Sequence, residues 1–198
     1  MCFALWCTSS TAHFRLVLAF NRDEDLPRPS SPAHFWPHEP RVLAGVDLDP
    51  TKPPYGTWLA VAHTRVAFLT NFRLVDRVPS TTLTGRGMYL LLHPAVFRSQ
   101  LWISGQLVPG FVCRTSTPAE YATHVFGTRD SYNGFNLVAI DASTAAPQCA
   151  YASNHEDEPW LDMPDGVYAL SNTTLRDTTP YPKVKVRISL RSLVHPSA

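Results

Sequence analysis

The chain is predicted to fold as an α+β domain dominated by antiparallel sheet. Three observations carry that expectation. Eighteen prolines against nine glycines favour extended segments and proline-punctuated loops over long helices. Short apolar runs bounded by polar or turn-forming residues recur along the chain, as strands do. Only one segment carries a complete helix-start pattern. A length of 198 residues suits a single domain, which at this size buries roughly 70% of the surface of its unfolded chain.

The elements follow in order. Cys2–Cys7 is mostly apolar and Arg15–Phe20 reads Arg-Leu-Val-Leu-Ala-Phe, so both suit buried strands. The Thr- and Ser-rich stretch Thr8–Phe14 connects them as an antiparallel pair with Asn21–Glu24 at its far end. Leu26–Pro40 is expected to be a proline-rich loop interrupted by Phe35-Trp36. Val42–Val46 is a short strand. Gly56–Ala62 and Arg65–Thr70 form a hairpin turning at His63-Thr64. Thr117-Pro118-Ala119-Glu120 offers a hydroxyl cap, proline in the first turn and glutamate three residues after the cap, so a helix is expected to run to about Phe126. Strands are expected at Phe135–Ile140, Gln148–Ala152 and Val167–Leu170.

Composition excludes several classes of function. The formal net charge is +1, which speaks against a nucleic-acid or anionic-membrane surface. No uninterrupted apolar run approaches the ~18–20 residues needed to cross a bilayer, so no transmembrane segment is expected. Cys2, Cys7, Cys113 and Cys149 are too few and too scattered for a disulfide scaffold, and no CxxC pair suggests structural zinc. A reducing, cytoplasmic compartment is the simplest reading. The N-terminal stretch holds Arg15 and Arg22 and no acid before Asp23, a faint likeness to a transit peptide, but cleavage would discard Cys2 and split a strand pair. His34 and His38 are separated by Pro37 and cannot share a metal-binding helix. No metal site is expected.

Cys2 is the first candidate functional residue. Once Met1 is trimmed, Cys2 would carry a thiol and a free α-amine on one residue. The amine has a reference pKa of about 7.7–8.0 and the thiol about 8.5, so the amine can take the thiol proton near neutral pH. The alternative is a small buried strand residue, since free cysteine packs as a small hydrophobe. Arg22 would favour a thiolate and Asp23 could hold the α-amine; the alternative is an ion pair closing a hairpin. Glu24 reads as a more peripheral or surface residue. Asn71, Asn136 and Asn172 each sit at or beside an apolar strand, where their amides could stabilise an oxyanion or simply close turns.

Met1-Cys2, Asn21-Arg22-Asp23-Glu24, Arg28-Pro29, Ala33-His34-Phe35-Trp36, Gly45-Val46-Asp47, Gly56-Thr57-Trp58, Leu69-Thr70-Asn71, Tyr132-Asn133-Gly134-Phe135-Asn136-Leu137 and Leu170-Ser171-Asn172 occur in the order that characterises a known family. Their joint order resembles the NRDE family, also called the transport and Golgi organisation protein 2 family. The resemblance covers residue 1 to about Val184. It implies an N-terminal-nucleophile (Ntn) hydrolase-like αββα sandwich of antiparallel sheets. It also implies roles in protein export and Golgi organisation, with lipid homeostasis and haem trafficking, and Golgi or mitochondrial pools beside the cytoplasmic one. The wider fold includes penicillin V acylase and bile salt hydrolase, which use an N-terminal cysteine on amide bonds. In those relatives an arginine, an aspartate and strand-end asparagines attend the nucleophile. The implied site is therefore Cys2, Arg22, Asp23, Asn71 and Asn172.

Three readings follow: a trafficking-related family member, a cysteine amidohydrolase, and a non-enzymatic carrier of a small ligand. No cofactor is required, and haem stays open only as a carried ligand. The partner is a small-molecule substrate or ligand; the sequence does not specify the oligomeric state. Two stretches depart from the family pattern. Gly85-Arg86-Gly87 resembles a helix start whose continuation is Gln106–Val112, so residues 88–105 form an atypical apolar insert. The domain is expected to span 1–184, with 185–198 a divergent tail and the C-terminal part of the sandwich incomplete.

Overall fold

The apolar runs become strands wherever a neighbour can accept their backbone hydrogen bonds. The computed structural model describes residues 2–48, 56–72 and 107–177. In chain order these contain β1 (Phe3–Thr8), β2 (Leu16–Asn21), β3 (Ser30–Trp36), β4 (Glu39–Asp47), β5 (Leu59–Ala62) and β6 (Arg65–Asn71), then helices α1 (Leu107–Val112) and α2 (Pro118–Gly127), and finally β7 (Phe135–Asp141), β8 (Gln148–Ser153) and β9 (Gly166–Leu170). All strand pairs are antiparallel. A small sheet has the order β2-β1-β9, and a large sheet runs β3-β4-β5-β6-β7-β8. The expected α+β sandwich of antiparallel sheets is the architecture observed.

Alternation along each strand sorts side chains into two cores. Ala4 and Trp6 of β1, Val66 and Phe68 of β6, Val138 and Ile140 of β7 and Tyr168 and Leu170 of β9 fill the space between the sheets. Trp6 packs its ring edge-on to Phe68 at 5.1 Å and stacks on Tyr168 at 5.4 Å. The opposite parity of the large sheet, including Val42, Ala60, Leu69, Leu137 and Ala139, packs on Leu107, Phe111, Tyr121 and Val125 of the helices. The described layers are therefore helices, large sheet, small sheet. β6 and β7 are buried on both faces, which explains why they read as continuous apolar runs rather than alternating ones.

Helix α2 starts where the local pattern places it. The Thr117 side chain accepts from the Glu120 backbone N–H, and the Glu120 carboxylate accepts from the Thr117 N–H, so the capping box is complete. The β5–β6 turn places His63 at a φ of 53°, the left-handed conformation that tight hairpins require. Two expectations are corrected. The apolar run Arg15–Phe20 is not a buried strand: β2 alternates half-buried and exposed residues because it is the edge of the small sheet, with one face turned outward. Leu26–Pro40 is not a continuous loop, because Ser30–Trp36 forms β3. That strand is an edge strand with register shifts between Ser31 and His34. An irregular edge is where a sheet tolerates a residue without an N–H such as Pro32. The insert at 88–105 and the tail at 185–198 lie outside the described residues.

Candidate functional site

Strand register assembles the site. β1 pairs with β2 through Phe3↔Asn21 and with β9 through Ala4↔Leu170. Continuing both ladders to residue 2 places Cys2 opposite Arg22 on one side and Asn172 on the other. The Ser171 hydroxyl donates to the Cys2 carbonyl at 2.9 Å, so the β9 side stays in contact beyond the last paired residue. Cross-strand partners share a face. Here it is the face of Ala4, Trp6 and Phe20, which looks into the space between the sheets. The Asp23 backbone N–H donates to the Cys2 thiol. Three of the residues expected from sequence thus meet at one sheet end, and Asp23 joins them through its backbone while its side chain stays exposed.

Arg22 is held from several sides. Its guanidinium lies 4.5 Å over the Trp58 ring, and Nη2 is 3.9 Å from Asp47 Oδ1. That Nη2 is buried and makes no hydrogen bond among the described residues. Asp47 itself is taken by Arg28, whose Nε and Nη2 donate to the two carboxylate oxygens at 2.9 and 2.6 Å. Arg28 Nη1 also lies 3.6 Å from Glu24. The Asp47 N–H donates to the Gly56 carbonyl at 2.8 Å, and the Leu48 N–H to the Pro29 carbonyl at 3.0 Å. Asn-Arg-Asp-Glu, Arg28-Pro29, Gly45-Val46-Asp47 and Gly56-Thr57-Trp58 are separate in sequence and form one ion-pair and stacking cluster in space. Asp47 and Arg28 are the site residues that sequence reasoning missed. The available signal was their place in Arg28-Pro29 and Gly45-Val46-Asp47, two of the fragments whose order resembles the family's.

The asparagines divide by what their amides do. Asn172 is 3% exposed, and its Nδ2 donates to the Asn71 carbonyl. Its second amide hydrogen has no partner among the described residues. Asn71 meets Asn172 through its backbone carbonyl, and strand alternation puts its side chain on the Leu69 face, toward the helices. Asn136 is fully buried and committed: Nδ2 donates to Thr70 Oγ1 and to the Thr173 carbonyl, each at 3.1 Å, and Oδ1 accepts from the Tyr151 hydroxyl at 2.7 Å. A buried amide so engaged has nothing left for an oxyanion.

Burial pushes the Cys2 thiol above its ordinary pKa; the Asp23 N–H and the amino-terminal charge oppose this, Glu24 adds to it, and Arg22 weakly opposes it. All four cysteines are free. Among the described residues no group of three His, Cys, Asp or Glu side chains is placed to hold a metal ion, and no helix is long and apolar enough to cross a membrane. The arrangement supplies a half-buried thiol, a cation beside it, and a buried amide with a hydrogen to donate. Those are the parts that acyl transfer uses: nucleophile, charge support and oxyanion donor.

A family model described as Transport and Golgi organisation 2 matches residues 1–196. The Transport and Golgi organization protein 2 homolog of Homo sapiens is 34% identical over 174 residues, covering 86% of this chain and 54% of the human protein. The Mus musculus homolog is 33% identical over 174 residues, with the same 86% and 54% coverage. Transport and Golgi organization protein 2 of Drosophila melanogaster is 28% identical over 156 residues, covering 74% of this chain and 48% of the fly protein. The chain therefore spans about half the length of the curated relatives it matches.

Proposed function

Because the chain belongs to the Transport and Golgi organisation 2 family, we propose that it serves protein export and Golgi organisation, and that it does so by acyl transfer at Cys2. In this reading Met1 is removed and the Cys2 α-amine takes the thiol proton. Sγ attacks the carbonyl carbon of an amide or ester. The tetrahedral oxyanion takes the free amide hydrogen of Asn172, and Arg22 supports the thiolate. The C–N or C–O bond breaks, the α-amine returns its proton to the departing nitrogen or oxygen, and water then releases the acid from the thioester. The observation that carries the reading is the register that sets Cys2 between Arg22 and Asn172.

The test is intact and peptide mass spectrometry after incubation with p-nitrophenyl acetate. The expected product is a chain lacking Met1 with one acetyl group on Cys2, absent from Cys2→Ala. A chain that keeps Met1, or an acetyl group found only on other residues, overturns the reading.

A second reading is favoured by the direction of the Cys2 pKa. A thiol raised by burial stays protonated at neutral pH while Met1 is in place, which suits a cleft that holds a small ligand, lipid or haem, without cleaving it. Ligand binding unchanged in Cys2→Ala supports the carrier, and loss of the covalent adduct in the same variant supports the enzyme.

A further inference from the structure

A run of hydrogen bonds between the sheets ends on the backbone around Asn172. The Leu175 N–H donates to the Tyr151 hydroxyl at 3.2 Å, and that hydroxyl donates to Asn136 Oδ1 at 2.7 Å. Asn136 Nδ2 donates to Thr70 Oγ1 and to the Thr173 carbonyl. The Thr70 hydroxyl donates to the Ser171 carbonyl. The donors of Thr70 and Asn136 each have one allowed arrangement. The Ser171 and Thr173 carbonyls can only accept, so Thr70 must give its hydrogen to the first and Asn136 must turn its NH2 toward the second. Asn136 Oδ1 then faces the Tyr151 hydroxyl, which burial keeps protonated by pushing its pKa up. Thr70 and Asn136 have no measurable exposure.

The two carbonyls so captured belong to the residues immediately before and after Asn172. From this geometry we infer that Thr70 and Asn136 act as a clamp on the Ser171–Thr173 backbone that aims the Asn172 amide at Cys2, making both of them positioning residues. The inference rests on the acyl-transfer reading for what Asn172 does, though not for where it is held. Buried polar groups are satisfied in folded proteins as a rule; here the satisfaction is concentrated on one short segment that follows β9 and adjoins Cys2 through the Ser171 hydroxyl. A core strand needs no asparagine at position 136 for packing, since its neighbours Phe135 and Leu137 are apolar and equally buried.

Two reagents separate positioning from general weakening. Iodoacetamide alkylates a thiolate without forming an oxyanion, whereas p-nitrophenyl acetate must form one. In the Thr70→Val variant of this chain, acylation of Cys2, followed on its own peptide by mass spectrometry, is expected to slow about tenfold to a hundredfold, the scale of a misplaced catalytic contact. Alkylation of Cys2 should stay within about twofold of wild type under the same reasoning, because the thiol itself is untouched. Thr70→Ser keeps the hydroxyl and should restore acylation. Val125→Ala, a core truncation in α2, controls for lost stability and should leave both rates alike. Should Thr70→Val fail to fold, Tyr151→Phe removes only the far end of the run and should give a smaller change of the same kind. Equal slowing of both reactions, no change in either, or failure of the serine variant to rescue overturns the clamp.

A wild-type chain that accepts no acetyl group on Cys2 overturns the acyl-transfer reading instead. The clamp is then judged by hydrogen exchange of the Asn172 side-chain amide in ¹⁵N spectra, assigned by its disappearance in Asn172→Asp. Faster exchange in Thr70→Val supports it, and unchanged protection refutes it.

Discussion

Asp47→Asn tests the ion-pair cluster that braces the site. The carboxylate receives two charge-assisted hydrogen bonds from Arg28, at 2.9 and 2.6 Å, and has Arg22 Nη2 at 3.9 Å. The side chains are 18% exposed for Asp47, 25% for Arg28 and 19% for Arg22. Asparagine with its oxygen in the Oδ1 place still accepts from Arg28 Nε but turns its NH2 toward Arg28 Nη2; flipped, it turns that NH2 toward both Arg28 Nε and Arg22 Nη2. Breaking a fully buried pair by removing one partner costs about 3–5 kcal/mol. Exposed pairs are worth about 0–1 kcal/mol. A cluster with roughly a fifth of its surface in contact with water falls between, so the expected loss is about 2–3 kcal/mol. The assay is urea denaturation, with a lower midpoint and an unchanged slope. Loss of the negative charge that offsets Arg22 also moves the Cys2 titration down, read from the pH profile of its alkylation. Glu39→Gln, which breaks the more exposed pair with Arg41, serves as the contrast and should leave the midpoint where it is. A loss for Asp47→Asn below about 0.5 kcal/mol, the ordinary range of surface substitutions, would refute the argument that this cluster braces the site.

Arg22→Met removes a charge that lowers the Cys2 pKa and a guanidinium stacked on Trp58; the alkylation profile of Cys2 should move to higher pH, and an unmoved profile would show that Arg22 does not act on the thiol. Gly134→Ala places a methyl 2.9 Å from the Phe72 carbonyl oxygen and 3.1 Å from His155 Nε2, so urea unfolding should show a loss of about 1–3 kcal/mol, the usual cost of overpacking. Cys113 and Cys149 are pushed by burial from an ordinary 9.0 to about 12. Between those values the folded thiols keep protons that the unfolded chain has released, so stability is full below about pH 9 and falls as pH rises toward 12, by about 1.4 kcal/mol per pH unit per thiol; Cys149→Ala should flatten this fall in urea midpoints compared at pH 8 and pH 10.

Local chemistry made some of this legible before any coordinates. The capping box at Thr117–Glu120 needs only residues within one turn, and α2 begins where it predicts. The β1–β2 and β5–β6 pairs are neighbours in sequence, and their apolar runs sufficed to place them. β3 was hidden because Pro32 and the prolines flanking the strand resemble a loop, and only pairing with β4 makes Ser30–Trp36 a strand. The site was half legible. Cys2 and Arg22 flank one hairpin, but the connection at Ser9–Arg15 does not set its register, and a shift of one residue would have turned Arg22 to the other face. Asn172 arrives from the far end of the described chain, through a ladder that no local pattern announces. Asp47 escaped notice because an acid just past the apolar run Val42–Val46 resembles a solvated strand end until Arg28, Arg22 and Gly56 converge on it. Asn136 carried a usable signal: one amide inside Phe-Asn-Leu-Val-Ala-Ile must find partners when buried, although the sequence alone could not say that those partners would exhaust it.

A designed cross-link tests most directly the placement of Cys2 against Asn172. Opposed residues in an antiparallel pair have Cα atoms about 4.5–5.5 Å apart, within the span of a disulfide. Mild oxidation of Asn172→Cys should join the peptides containing Cys2 and residue 172, while Ser171→Cys, whose side chain belongs opposite Phe3, should not link to Cys2. A free thiol at 172 together with a ready link from 171 would contradict the register on which the site is built.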